Sequence, residues 1–163
     1  MASRPNLRRE AIEVLTPLGW LHGTLHVPTH LALGEHLLLT TQALKLTGVS
    51  VPGEPDRLRF LALHHTAVML VAPALAAEEP APSEHMGARE VACLLPSGIL
   101  RGTLLVHASL RLSDYLALEG PWFTLRHCLL APFGGTTDSA GARSLHTAII
   151  NLPNVLGMAD AHQ

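Results

Sequence analysis

The chain has 163 residues, of which 48% are hydrophobic and only 15% charged, with a net charge of −2, a pI of about 6.6 and a mean hydropathy of +0.29. The length admits one medium domain or two small ones, and the charge balance excludes a global field that would draw in nucleic acid. No stretch reaches the roughly 18 uninterrupted apolar residues of a spanning helix; Leu58–Ala77 comes nearest, and Arg59, His64 and His65 interrupt it.

Met1–Glu10 carries Arg4, Arg8 and Arg9 with no apolar run behind them, so residues 1–9 are expected to be an N-terminal arm rather than a secretory signal. Its arginines offer a contact to an acidic partner or an anionic lipid surface. Leu18–Val27 follows, with Leu21, Gly23, Leu25 and Val27 alternating against Trp20, His22, Thr24 and His26. That is the period of a half-buried strand. Leu31–Leu39 reads as a short helical turn, Ala43–Val51 as a second strand, and His64–Val71 as a closing apolar strand. Pro73–Glu84, rich in Pro, Ala and Glu, reads as a semi-extended linker within 73–88.

The same succession then returns. Shifted by 79 positions, Leu15–Leu39 falls on Leu94–Leu118 without a gap, and twelve of the 25 pairs are identical, among them Gly19/Gly98, Gly23/Gly102 and Thr24/Thr103. Such a repeat predicts two units of one architecture, over residues 10–72 and 89–159, with 160–163 a tail. A glycine at the same inward position, Gly23 and Gly102, predicts a tight bend or close backbone approach, as in a small barrel. In the second copy Ser113-Asp114 is placed to cap the helical turn. Phe123–Leu130 answers the second strand. Leu145–Leu156 answers the last segment, with His65-Thr66-Ala67 matching His146-Thr147-Ala148 at an offset of 81. Pro132–Ser144 reads as a flexible loop belonging to the second half alone. The predicted class is therefore all-β: two tandem small barrels with short helical turns.

These residues also resemble a known family. A strand with an internal glycine, a leucine-rich turn, a second strand and a closing apolar strand resemble an Sm-like small barrel of the SH3-like kind. Gly98–Leu118 with Arg111-Leu112-Ser113-Asp114-Tyr115-Leu116, then Trp122-Phe123-Thr124-Leu125 and Ala148–Val155, is similar to a bacterial Sm-like domain family of uncharacterised function. The resemblance implies the fold and a tendency to associate by strand edges. It does not carry over an RNA pocket. Such pockets use an Asn after the first strands and an Arg-Gly pair in the closing strand, where this chain has Asp114-Tyr115-Leu116-Ala117 and Asn151-Leu152, with Leu70-Val71 in the first half.

Chemistry-bearing sets are sparse. His22 and His26 share a strand face but stand about 13 Å apart at about 3.3 Å per residue, too far for one ion. His64 and His65 point to opposite faces, and His26 with His30 lacks a further ligand. Gly134-Gly135-Thr136-Thr137 has phosphate-cradling composition without the Gly-Lys-Ser/Thr ending or following helix of a P-loop. No G-x-S-x-G occurs. Glu35 and Asp114 occupy equivalent places, which points to a shared capping role. Cys93 and Cys128 are expected to be buried free thiols in a reducing cytoplasm. Trp20, Trp122, Phe123 and Tyr115 do not alternate with arginines, and Arg57, Arg59 and Phe60 form the one small cluster that could meet a nucleic acid.

No catalytic residue, cofactor, metal or small-molecule substrate is expected. An apolar chain without a membrane span has surface to cover, and one lysine among 163 residues leaves strand edges thinly protected. The function expected is a non-catalytic structural or assembly subunit that docks by apolar faces and strand edges into a larger protein complex. Its expected place is the cytoplasm, including a peripheral seat on a photosynthetic or respiratory complex at the cytoplasmic face of the inner membrane. The alternatives are an Sm-like RNA-binding protein and a homo-oligomeric ring.

Overall fold

The computed structural model describes residues 6–40, 42–76, 83–118, 120–133 and 141–161. The first half runs β1 (Leu7–Thr16), β2 (Gly19–Pro28), α1 (Leu33–Leu39), β3 (Ala43–Ser50), β4 (Leu58–His64), a 3-10 turn over His65–Ala67, and β5 (Leu70–Pro73). The second half repeats it as β6 (Met86–Leu95), β7 (Gly98–His107), α2 (Leu112–Leu118), β8 (Trp122–Pro132), β9 (Arg143–Asn151), a 3-10 turn over Leu152–Asn154, and β10 (Gly157–Asp160). All pairings are antiparallel, and the ten strands form one sheet in the order β10-β6-β7-β8-β9-β5-β1-β2-β3-β4. The all-β class expected from the sequence is what the chain adopts. Strand pairing does not close two separate barrels, however: two five-stranded units of one topology merge at β5 and β9, and the sheet stays open at β4 and β10. No helix among the described residues is long and apolar enough to cross a membrane.

Strand registers fix the repeat frame. Ile12 faces Pro73 in the first unit and Val91 faces Asp160 in the second, so the first strands correspond at an offset of 79 and the last at 87. The second unit therefore carries eight extra residues between β8 and β9, where an offset of 81 implied two. His65-Thr66-Ala67 is a 3-10 turn whose counterpart is Leu152-Pro153-Asn154; His146-Thr147-Ala148 instead lies within β9. A three-residue identity is easily met by chance, whereas a strand register involves every residue of the ladder. For the same reason the counterpart of Asn151-Leu152 is His64-His65, not Leu70-Val71, and the segment His64–Val71 is the end of one strand, a turn and the start of another. Leu7–Arg9, expected in the arm, already belong to β1, where Arg8 Nε donates to Glu10 Oε1 at 2.6 Å. Pro73 closes β5 and Met86 opens β6, which shortens the expected linker. Arg4, residues 77–82 of that linker, residues 134–140 of the expected loop (with Gly134-Gly135-Thr136-Thr137) and residues 162–163 lie outside the described residues.

The repeated inward glycines do what their position predicts. The β2–β3 register shifts between His22 and Thr24, and the β7–β8 register between Arg101 and Thr103, so each glycine sits at a bulge. Opposite them Gly48 (φ 59°) and His127 (φ 50°) take the left-handed conformation that increases local twist. A Cβ on Gly102 would lie 2.9 Å from Cys128 Sγ and 3.1 Å from the Arg126 carbonyl oxygen, while one on Gly23 would meet Val49 Cγ2 at 3.2 Å and backbone only at 3.5 Å. Gly102→Ala is therefore expected to destabilise by about 1–3 kcal/mol and Gly23→Ala by less, an order that urea titration of the two variants checks.

Two apolar clusters form the core, and each draws side chains from both units. Leu15, Met69, Leu70 and Ala72 pack with the buried residues of β6–β9, while Trp122 and Ile149 pack with those of β1–β3, α1 and β5. Arg143 at the head of β9 adds a polar clasp, paired with Glu13 of β1 and seated 4.0 Å above the Trp20 ring of β2. The expected 10–72 and 89–159 units thus share an interior.

Candidate assembly edges

The junction between β5 and β9 is the one place where the fold shows how two such units dock. Leu70 faces Ile150 and Val71 faces Ile149, and the Asn151 backbone N–H donates to the Met69 carbonyl at 2.9 Å. The end of β9 carries the polar part. Asn151, only 6% exposed, donates its side-chain amide to the carbonyls of His65 and Val68, both at 2.9 Å. Asn154 donates to the carbonyls of Thr66 at 3.0 Å and Val68 at 2.6 Å. Two asparagines therefore hold the 3-10 turn of the other unit, where carbonyls emerge that no ladder satisfies. His65 lies inside the same contact, edge-on to Trp122 with ring centroids 5.7 Å apart. Its Nε2 is buried without a hydrogen-bond partner, and burial pushes its imidazole below the ordinary histidine range, which keeps it neutral.

A helix covers the junction. Gly34 and Leu38 of α1 lie over a cavity of about 290 Å³ lined by Leu105, Tyr115, Trp122, Thr124 and Arg126 of the second unit. The corresponding positions of the first unit are His26, His36, Ala43, Lys45 and Thr47. They line a groove of about 390 Å³, together with Leu7 and Phe60, that no helix covers among the described residues. Burial first, then the Arg8 charge, hold the His36 imidazole below its ordinary range, against Glu10. The groove thus sets the apolar Leu7, Ala43 and Phe60 beside the amine of Lys45.

At the two ends of the sheet the same chemistry stands unpartnered. The outer side of β4 pairs with no described strand and exposes Leu58 and Phe60, the latter 58% accessible, beside Arg57 and Arg59. The outer side of β10 is equally unpaired by any described strand, with Leu156 70% exposed, Leu94 beside it, and Asp160 3.8 Å from Arg89 Nε of β6. Unpaired edges with apolar rims are templates for adding a strand.

The residues singled out in the sequence fall elsewhere. His22 Nδ1 lies 3.2 Å from Glu13 Oε1 and His26 Nε2 lies 3.1 Å from Thr47 Oγ1, so each has its own partner and they do not converge. Among the described residues no three His, Cys, Asp or Glu side chains gather around one point. Glu35 caps as expected, accepting from the Ala32 N–H at 2.9 Å. The expected Ser113-Asp114 cap is displaced, because α2 begins at Leu112 and places both residues inside its first turn. Trp122 and Phe123 are core residues, and Trp20 and Tyr115 pack against the core. Arg59 and Phe60 remain exposed on β4. Asn151 and Asn154 were not foreseen as a clamp; two asparagines inside the apolar run Ile149–Leu156 were the signal.

Cys93 and Cys128 are buried and free, and burial pushes both thiols up to about 12, with each neighbouring thiol or carboxylate adding to it. They are expected to resist thiol reagents until the chain unfolds. A raised thiol pKa contributes stability fully below the unfolded value near 9 and loses it as pH climbs towards 12. Unfolding free energies measured between these limits should fall for the native chain and less for Cys93→Ala.

Compared with family models, curated proteins and solved structures, the chain matches none.

Proposed function

We propose that the chain is a non-catalytic assembly subunit, two tandem units of the Sm-like kind that dock by strand edges and apolar faces into a larger protein complex. The observation that carries this reading is the pair of unpaired edges, β4 and β10, each rimmed by exposed apolar side chains. Open edges of this kind are usually blunted by lysines, prolines or covering loops; here β4 exposes Leu58 and Phe60, with Arg59 between them. The bulged glycine strand, the intervening short helix and the shared order of five strands in each unit support the small-barrel kinship. A peripheral seat on a membrane-bound complex belongs to the same reading.

The test is the native size of the chain in extracts of its host. It is expected to run well above the 17.4 kDa of a monomer, and to shift down when Ala62→Pro removes the outward N–H of β4. Migration as a monomer at every concentration overturns the reading. RNA binding is the rival: nanomolar, salt-sensitive binding of U-rich or A-rich RNA at physiological salt would install it instead.

A further inference from the structure

We infer that the occupant of the β4 edge is a second copy of this chain, seated by its β10 edge so that its α2 closes the groove at Phe60. The inference rests on the edge-docking reading above and names its partner. The internal junction supplies the geometry. There the last strand of one unit, β5, adds to the fourth strand of the other, β9, and α1 of the first unit lies over the groove of the second. β10 is the counterpart of β5, and β4 is the counterpart of β9. The two free edges are therefore the two missing halves of one more joint of the same kind.

Transferring the junction register to the outer edges sets Gly157 opposite Leu63, Met158 opposite Ala62 and Asp160 opposite Phe60. Asp160, half-exposed and 3.8 Å from Arg89 Nε of its own chain, then lies within reach of Arg59 as a second cation. Side-chain volumes are exchanged in the same transfer. At the junction Leu38 of α1 covers the groove and Thr147 stands on the strand. At the outer joint α2 would present the exposed Ala117 in place of Leu38, and β4 presents Phe60 in place of Thr147. A large residue has moved from helix to strand and a small one from strand to helix. Such a compensating pair suits one surface to the other.

The outer joint is weaker than the internal one. His64 and Ala67 stand where Asn151 and Asn154 supply four hydrogen bonds at the junction, and β10 offers Gly157-Met158 where β5 offers Leu70-Val71. Association is accordingly reversible and concentration-dependent. Because the joint uses different surfaces on the two copies, it is heterologous and adds copies head to tail.

Sedimentation velocity on the purified chain, over about a hundredfold range from micromolar upward, tests this. The wild-type mean mass should climb with concentration. Phe60→Asp, which blocks β4 and leaves β10 intact, and Asp160→Arg, which blocks β10 and leaves β4 intact, should each weaken self-association about tenfold or more. Ala62→Pro and Met158→Pro, each removing one outward N–H, are the second pair should a charged variant fold poorly. The decisive arm mixes Ala62→Pro with Met158→Pro, whose blocked edges cannot complement each other as those of Phe60→Asp and Asp160→Arg would: their intact edges should give a 1:1 species of twice 17.4 kDa that goes no further. A wild type that stays monomeric throughout overturns the inference. So does association lost in the β4 variants but untouched in the β10 variants, which would mean two β4 edges pairing with each other. In either case the edge-docking function stands if the β4 variants still lose the host complex, and falls with the inference if they do not.

Discussion

Trp122→Ala should lower the stability of both units together, by about 3–5 kcal/mol. Trp122 opens β8 of the second unit, yet it is 5% exposed within the cluster formed by β1–β3, α1 and β5 of the first. Its removal opens a cavity at the point where the interiors meet and deletes the edge contact with His65. In the other direction Leu15, Met69 and Leu70 of the first unit are buried among residues of the second. Neither unit therefore has a complete core alone. The wild type should unfold in one cooperative transition, and the variant should keep a single transition about 6–20 °C lower, at about 2–4 °C per kcal/mol for a chain of this size. Trp20, which packs on the second cluster from β2, remains as a fluorescent reporter of the contact. Two resolved transitions, with only one displaced by the substitution, would show the cores to be independent and end the argument.

How much of this was legible in the sequence differs from element to element. The repeat from the β1–β2 turn through α1 was visible because the bulge demands a glycine in both copies, and Gly23 and Gly102 anchor an ungapped frame. The closing strands were not. Eight additional residues shift the frame between β8 and β9, and Val68–Ala72 is buried throughout, so it has no alternation to mark where turn ends and strand begins. β1 was not read as a strand, because its first residues, Leu7-Arg8-Arg9-Glu10, look like a solvated arm; in the fold they pair with Leu25–Pro28. The merger of the two units depends on a pairing between residues some 80 apart, Leu70 with Ile150, and short patterns contain no information on contacts of that range. The candidate site was half legible. Thin edge protection followed from a single lysine, but which edges stay open follows only from the strand order.

The Asn151 clamp carries the other large effect, and two substitutions separate its hydrogen bonds from its shape. Asn151→Ala removes two donors, but the His65 carbonyl keeps the Val68 N–H at 3.0 Å and the Val68 carbonyl keeps Asn154 at 2.6 Å. The expected cost is therefore moderate, about 1–3 kcal/mol. Asn151→Asp keeps the shape and turns the donor into an acceptor facing two carbonyl oxygens in a buried place. The ionised form has no compensating charge there, and the expected cost at neutral pH is about 3–5 kcal/mol. Protonation restores one donor, so the folded state favours the neutral acid and raises the carboxyl pKa above its unfolded value of about 3.9. The sign follows from that: the variant recovers stability below the unfolded pKa and loses it as pH rises through the folded one. Urea titrations at neutral and acidic pH should show the Asp variant below the Ala variant at neutral pH and the gap narrowing on acidification. Equal stabilities of the two variants at neutral pH would mean that water reaches the clamp and that the junction is held by Leu70, Val71, Ile149 and Ile150 alone.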